Sequence, residues 1–233
     1  MIARLELRVA CYLDNDAFIK LVSCNLLDRV IAAIGVNIDE VVILDTFYCK
    51  FLTKRKLKTI DLFGADVVEQ LSALTSRLGK LNYSPTDAEL EINSGEDTYK
   101  IDAGEANLFF AASHELNSRV VTADKRCISA LSTLPQFRHV AIALQGRVIC
   151  LEQLLLYVIE RDGFECVKVG VSNFITRINS KKTQDDQSLR SIFGMELESR
   201  KENVLDGLKS CLRNLQPYDY DVLKLSDENL DVL

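Results

Sequence analysis

RVVTADKR, residues 119–126, decides the fold: Arg119 to Ala123 is a β-rich run, Asp124 stands at its end, and Lys125 to Leu134 reads as a short helix directly after it. CYLDNDAF, residues 11–18, repeats the arrangement, with Val9, Cys11 and Leu13 alternating before Asp14 and a helix-period stripe following. Strands that turn straight into helices build a parallel sheet covered on both faces. The carboxyl ends of such strands border the crevice where ligands bind, which places both acids there. DAGEANLFFAA, residues 102–112, adds a third carboxylate, Glu105, in the first turn of a helix that Asp102 caps.

Working outward, the apolar stripe Phe18, Leu21, Val22, Leu26, Val30 and Ile34 predicts one helix over residues 17–34 ended by Gly35, with Asp16 as its cap or as a metal ligand. Val41 to Leu44 predicts the second strand, and Asp45 the cap of the helix after it. Phe63 to Leu81 has helical spacing, whereas Asn82 to Lys100 is polar and reads as a loop able to cover a site. Val140 to Leu144 predicts a further strand and Val148 to Arg161 a leucine-rich helix. Beyond a polar break at 180–187, Ser188 to Leu215 predicts one long amphipathic helix, ended by Pro217 and followed by an acidic tail.

Composition narrows the function classes. The 233 residues, 48% hydrophobic, suffice for an α/β domain with an appended subdomain. No apolar run approaches the roughly 18–20 residues that span a bilayer, and Arg4 and Glu6 interrupt the region where a signal peptide would be apolar. A cytoplasmic protein that avoids membranes is expected. The seven cysteines lack CxxC or zinc spacing and read as buried thiols in a reducing compartment, and His114 and His139 read as surface or helix-end residues. A net charge of −6 excludes a protein coated for indiscriminate nucleic-acid binding. Local cations remain: KFLTKRKLK, residues 50–58, holds Lys50, Lys54, Arg55, Lys56 and Lys58, and Lys125 and Arg126 follow Asp124. Tryptophan is absent, so no aromatic platform for bases is evident.

LDNDAFIKL, GEANLFFAA and VVTADKR, in that order, resemble the motifs of the PIN-domain nucleases, over about Val9 to Gly163. The resemblance implies a three-layer α/β/α fold with a central parallel sheet over residues 1–165, leaving a helical extension with its acidic tail over 166–233. It also implies a Mg²⁺- or Mn²⁺-dependent ribonuclease. Asp14, Glu105 and Asp124 would be its catalytic ligands, Asp16 and Asp102 further ligands, and Lys125, Arg126, Lys54 and Arg55 contacts to single-stranded RNA. Hard divalent cations take oxygen ligands, and phosphodiester hydrolysis is a reaction they serve. One departure stands out: VVILDTFYCKFL, residues 41–52, puts Cys49 and Lys50 where family members carry a glutamate, leaving Asp45 or Asp102 to supply that oxygen. Two alternatives follow. One is a binding or assembly module with weakened catalysis, using the C-terminal helices for a protein partner or homodimer; the other is a nuclease toxin held by an antitoxin.

Overall fold

The strands are short, and those at residues 11–13, 119–122 and 148–150 lead almost directly into helices. The computed structural model describes residues 9–93, 101–179, 187–194 and 200–215. β1 (Cys11–Leu13), β2 (Val41–Ile43), β3 (Gly79–Lys80), β4 (Arg119–Thr122) and β5 (Val148–Cys150) form one sheet in the order β3-β2-β1-β4-β5. Every pairing is parallel, with Leu13 opposite Val121 in the β1–β4 register. Strand parity divides the core. Cys11, Leu13, Val41, Ile43, Val121 and Ile149 face one hydrophobic cluster, and Tyr12, Val120, Val148 and Cys150 the other. Helices cover both faces, so the fold is a three-layer α/β/α architecture, as a strand-end-to-helix grammar requires.

The chain runs outward from β1 to β2 and β3, then returns to lay β4 on the other side of β1. That reversal is a switch point, where the connections leaving adjacent strands diverge and open a crevice. α1 (Asn15–Ser23) leaves β1 and α7 (Lys125–Thr133) leaves β4, so Asp14 and Asp124 stand at the N-caps of the two helices flanking the opening. α6 (Ala103–His114) brings Asp102 as its N-cap.

Several elements differ from expectation. The helix predicted over 17–34 is two, α1 and α2 (Leu27–Ala33), broken where Asn25 takes φ 55°. Gly170 of α10 (Phe164–Asn179) explains the room there, since a Cβ on it would lie 2.2 Å from the Cys24 carbonyl oxygen. After β2 comes a π-helical segment, Tyr48–Lys54, then α3 (Lys56–Phe63) and α4 (Ala65–Thr75), with β3 at the end of what read as helix. Asp45 is exposed in the turn and caps nothing; the N-cap of that segment is Phe47. The polar stretch from 82 contains α5 (Asp87–Asn93).

Val140 to Leu144 is not a strand. It lies largely within α8 (Arg138–Ala143), where Val140, Ala141 and Leu144 are buried while Ile142 is 61% exposed, a helical spacing rather than an alternation. The strand is Val148–Cys150, ahead of α9 (Leu151–Asp162). The long C-terminal stripe divides into α11 (Gln187–Phe193) and α12 (Lys201–Leu215), with Gly194 at φ 73° after the first. Val204 and Leu208 of α12 are buried in the same core cluster as α9 and α10, so much of that apolar face is covered within the chain. The acidic tail, the polar break at 180–186, Met195 and Leu197 of the stripe, Arg4, Glu6 and Arg8, and NSGED at 93–97 apart from the helical backbone of Asn93 lie outside the described residues.

Candidate active site at the switch point

Asp14, Asp16, Asp102, Glu105 and Asp124 all line one cavity of about 330 Å³ above the β1–β4 ends. Three of them are N-caps, which is why strand ends and helix starts bring them together. Asp102 accepts from the Glu105 N–H at 2.8 Å, while the Glu105 carboxylate accepts from the Asp102 N–H at 3.2 Å. Asp124 accepts from the Arg126 N–H at 2.8 Å. Thr122 is buried at the end of β4; its hydroxyl accepts from the Asp124 N–H at 3.1 Å and stands 3.5 Å from Asp14 Oδ2.

The carboxylates differ sharply in what balances them. Burial, the Asp14 charge and the Asp102 charge push the Glu105 carboxyl up to about 8, against the downward pull of the Asp102 N–H. Burial and the Asp16 charge raise Asp14 to about 6. Glu105 is therefore the harder of the two to ionise. Asp124 is also partly buried, but Arg126 holds its carboxyl below the ordinary value. The guanidinium grips both oxygens, with Nε at 3.0 and 3.1 Å and Nη2 at 2.5 Å. Asp16 pairs with Lys20 at 2.6 Å.

The opposite wall is one face of the chain around α3. Arg55, Lys58, Thr59, Leu62 and Phe63 line the cavity at helical spacing, with Lys50 and Phe51 from the π-helical segment. The Thr59 hydroxyl donates to the carbonyls of Phe51 and Arg55, both at 3.0 Å, which ties the two segments together. Lys50, standing where the family pattern has an acid, places its ammonium 5.3 Å from the Phe51 ring centre.

Other predicted contacts lie elsewhere. Lys125 is turned to Glu152 at 2.6 Å, a carboxylate only 3% exposed, and is not part of the cavity lining. Lys54 and Asp45 are exposed and do not line the cavity either, so Asp102 rather than Asp45 stands near the acids. Cys49 is exposed and Cys166 and Cys211 half-buried, while the other four thiols are buried as expected; all seven are free. His114 sits at the end of α6 and His139 is exposed on α8. Sequence reasoning missed Asn15, whose buried Oδ1 has no hydrogen-bond partner, and the apolar wall formed by Leu62 and Phe63. The signal for the wall was the 55, 58, 59, 62, 63 spacing, masked by the charge of the surrounding run.

The donor chemistry suits a hard divalent cation: buried oxygens crowd together, burial and neighbouring acids raise the carboxyls of both Asp14 and Glu105, and Asn15 Oδ1 is unpartnered. As placed, no three His, Cys, Asp or Glu groups among the described residues are near enough to share one ion. Asp124 in particular is taken up by Arg126. No protein-family model matches the chain, and neither a curated protein nor a solved structure is significantly similar to it. Among the described residues, no helix is long and apolar enough to cross a membrane.

Proposed function

We propose that the protein is a divalent-cation-dependent nuclease of PIN-like type that hydrolyses phosphodiester bonds in single-stranded RNA in the cytoplasm. The observation that carries this reading is the convergence of Asp14, Glu105 and Asp124 in a cavity whose other wall is cationic. Asp14, Glu105 and Asp124, with Asn15 and Asp102 beside them and Asp16 at the rim, are the residues to hold Mg²⁺ or Mn²⁺. Such an ion lowers the pKa of a bound water and offsets charge on the phosphate.

The chain's own groups prepare for that ligand. Glu105 gives up its proton when a positive charge replaces it among the acids. Arg126, with its side chain 75% exposed, is free to exchange the Asp124 carboxylate for a phosphate, which its planar fork binds as readily. Lys50, Arg55 and Lys58 supply further positive charge on the cavity wall. In this reading Lys50 serves phosphate rather than the cation.

The same two residues favour a rival, a binding module in which Arg126 and Lys50 have neutralised an ancestral metal site. Cleavage of labelled single-stranded RNA with Mn²⁺, Mg²⁺ or EDTA, beside Asp124→Asn, separates the two. Asparagine caps a helix about as well as aspartate, so the variant keeps its fold. Metal-dependent cleavage that the variant loses supports the nuclease. RNA binding without cleavage by the folded wild-type protein supports the module.

A further inference from the structure

We infer that the α3 wall is a subsite for one unpaired nucleotide, with the base lodged against Phe63 and Leu62 and its phosphate held by Lys58 and Arg55. The inference deepens the nuclease reading and rests on it.

The wall is graded along its axis. Arg55 and Lys58 occupy the first turn of the cavity-facing stripe, and Leu62 and Phe63 the last. Four residues of helix, from Lys58 to Leu62, span about 6 Å, comparable to the distance from a nucleotide's phosphate to its base. Cation and aromatic surface are thus spaced as the two ends of a nucleotide are, in the same cavity as the acids. Ile19 of α1 adds apolar surface to the lining. Bases stack on aromatic rings with little regard to sequence, because every base has a π-face.

Phe63 is a fixed platform rather than a mobile side chain. Its ring lies nearly parallel to that of Phe174 in α10, with centres 6.4 Å apart and planes 5° from parallel. Its carbonyl oxygen accepts from the Arg177 guanidinium, which also pairs with Asp66 at 3.1 Å. Gly64 follows at φ 94°, and a Cβ there would meet Asp66 Oδ1 at 2.5 Å and Arg177 Nη1 at 3.2 Å. α10, beyond residue 163, therefore helps to build the wall. Cavity size argues in the same direction: 330 Å³ is near the lower end of the roughly 300–1,000 Å³ of small-molecule sites. A cavity of that size suits one base.

The test titrates AMP, ribose 5-phosphate and inorganic phosphate separately into the full chain with Mn²⁺ present, following heat. AMP should bind about fivefold or more tightly than ribose 5-phosphate, and Phe63→Ala should erase that difference while ribose 5-phosphate still binds. Lys58→Ala should weaken all three ligands together. A second measurement needs no variant: an RNA with an abasic position beside the scissile bond should be cleaved about fivefold or more slowly than intact RNA. Equal binding of AMP and ribose 5-phosphate by the wild-type protein, or equal cleavage of the two RNAs, overturns the subsite. The nuclease reading fails separately, through absence of metal-dependent cleavage of any RNA.

Discussion

Glu89 and Glu105 occupy equivalent places at the starts of α5 and α6, each closing a capping box, yet their surroundings drive them in opposite directions. Glu89 accepts from the Tyr83 hydroxyl at 2.7 Å and from the N–H and hydroxyl of Thr86 at 2.7 and 2.9 Å, and His114 stands 3.2 Å away. Burial pushes it up, but these partners win and hold its carboxyl down at about 2. Burial raises Glu105 as well, and with one N–H partner against the negative charges of Asp14, Asp102 and Asp124 it rises to about 8. One glutamate is satisfied by the fold; the other keeps uncompensated negative charge around it. Strong perturbation in a cavity marks a functional group more often than a structural one.

The largest expected effect breaks the pair by activity. Loss of groups that merely orient metal ligands costs about 10–100-fold, so if Glu105 is a direct ligand, as proposed, Glu105→Gln should lower RNA cleavage by about 100-fold or more. Glu89→Gln should leave cleavage within about tenfold by the same scale.

The next effect reverses the ranking in stability. Glu89→Gln loses charge-assisted hydrogen bonds worth about 1.5–3 kcal/mol each, and about 2–4 °C of Tm accompanies each kcal/mol at this chain length. Its Tm should drop by about 5 °C or more. Glu105→Gln removes a charge from a crowded site, so its Tm at pH 8 without metal should equal or exceed that of the wild-type protein. A fall like that of Glu89→Gln would show that Glu105 is structural.

pH sharpens the contrast. Asp14 and Glu105 have folded-state values of about 6 and 8, above their ordinary values of 3.8 and 4.5. The folded state therefore binds more protons than the unfolded state between those limits, and stability falls as pH rises from about 4 to about 8. Glu89, lowered from 4.5 to about 2, acts in reverse, its contribution present above pH 4.5 and lost as pH falls towards 2. Thermal unfolding from pH 5 to 8 should show the decline in the wild-type protein and a shallower one in Glu105→Gln. A profile in Glu105→Gln as steep as in the wild-type protein would remove Glu105 as its source.

The smallest effect concerns the cations. Lys54 is exposed and outside the cavity, whereas Lys58 lines it. Lys54→Ala should change the KM for RNA less than twofold, near the limit of what one exposed charge contributes, and Lys58→Ala should change it more. Equal effects would show that the whole run acts as a diffuse electrostatic patch.

The acids were legible in the sequence because cap residues at strand-to-helix junctions are read from short, local patterns. Asp14, Asp102 and Asp124 each precede a helix start, and the parallel topology then places them at one end of the sheet. The fifth strand was not legible: VAIAL and VIC are both short apolar runs, and only the packing of Ile142 outward and Val148 inward separates helix from strand. The chain at the break beside Asn25 packs closely on Gly170, 145 positions away in the sequence, a contact no local pattern reveals. The partners of Lys125 and Arg126 were likewise invisible, since adjacent residues on a helix diverge in direction; one reaches Glu152 and the other folds back on Asp124.

The most direct test of the account is Mn²⁺ titration at pH 8, followed by Tm, of the wild-type protein and Glu105→Gln. A saturable rise of several degrees is expected in the wild-type protein, because a ligand that binds only the folded state stabilises it, and little or no rise in the variant. An unchanged wild-type Tm at saturating Mn²⁺, or an equal rise in both proteins, would contradict a metal site built on Glu105.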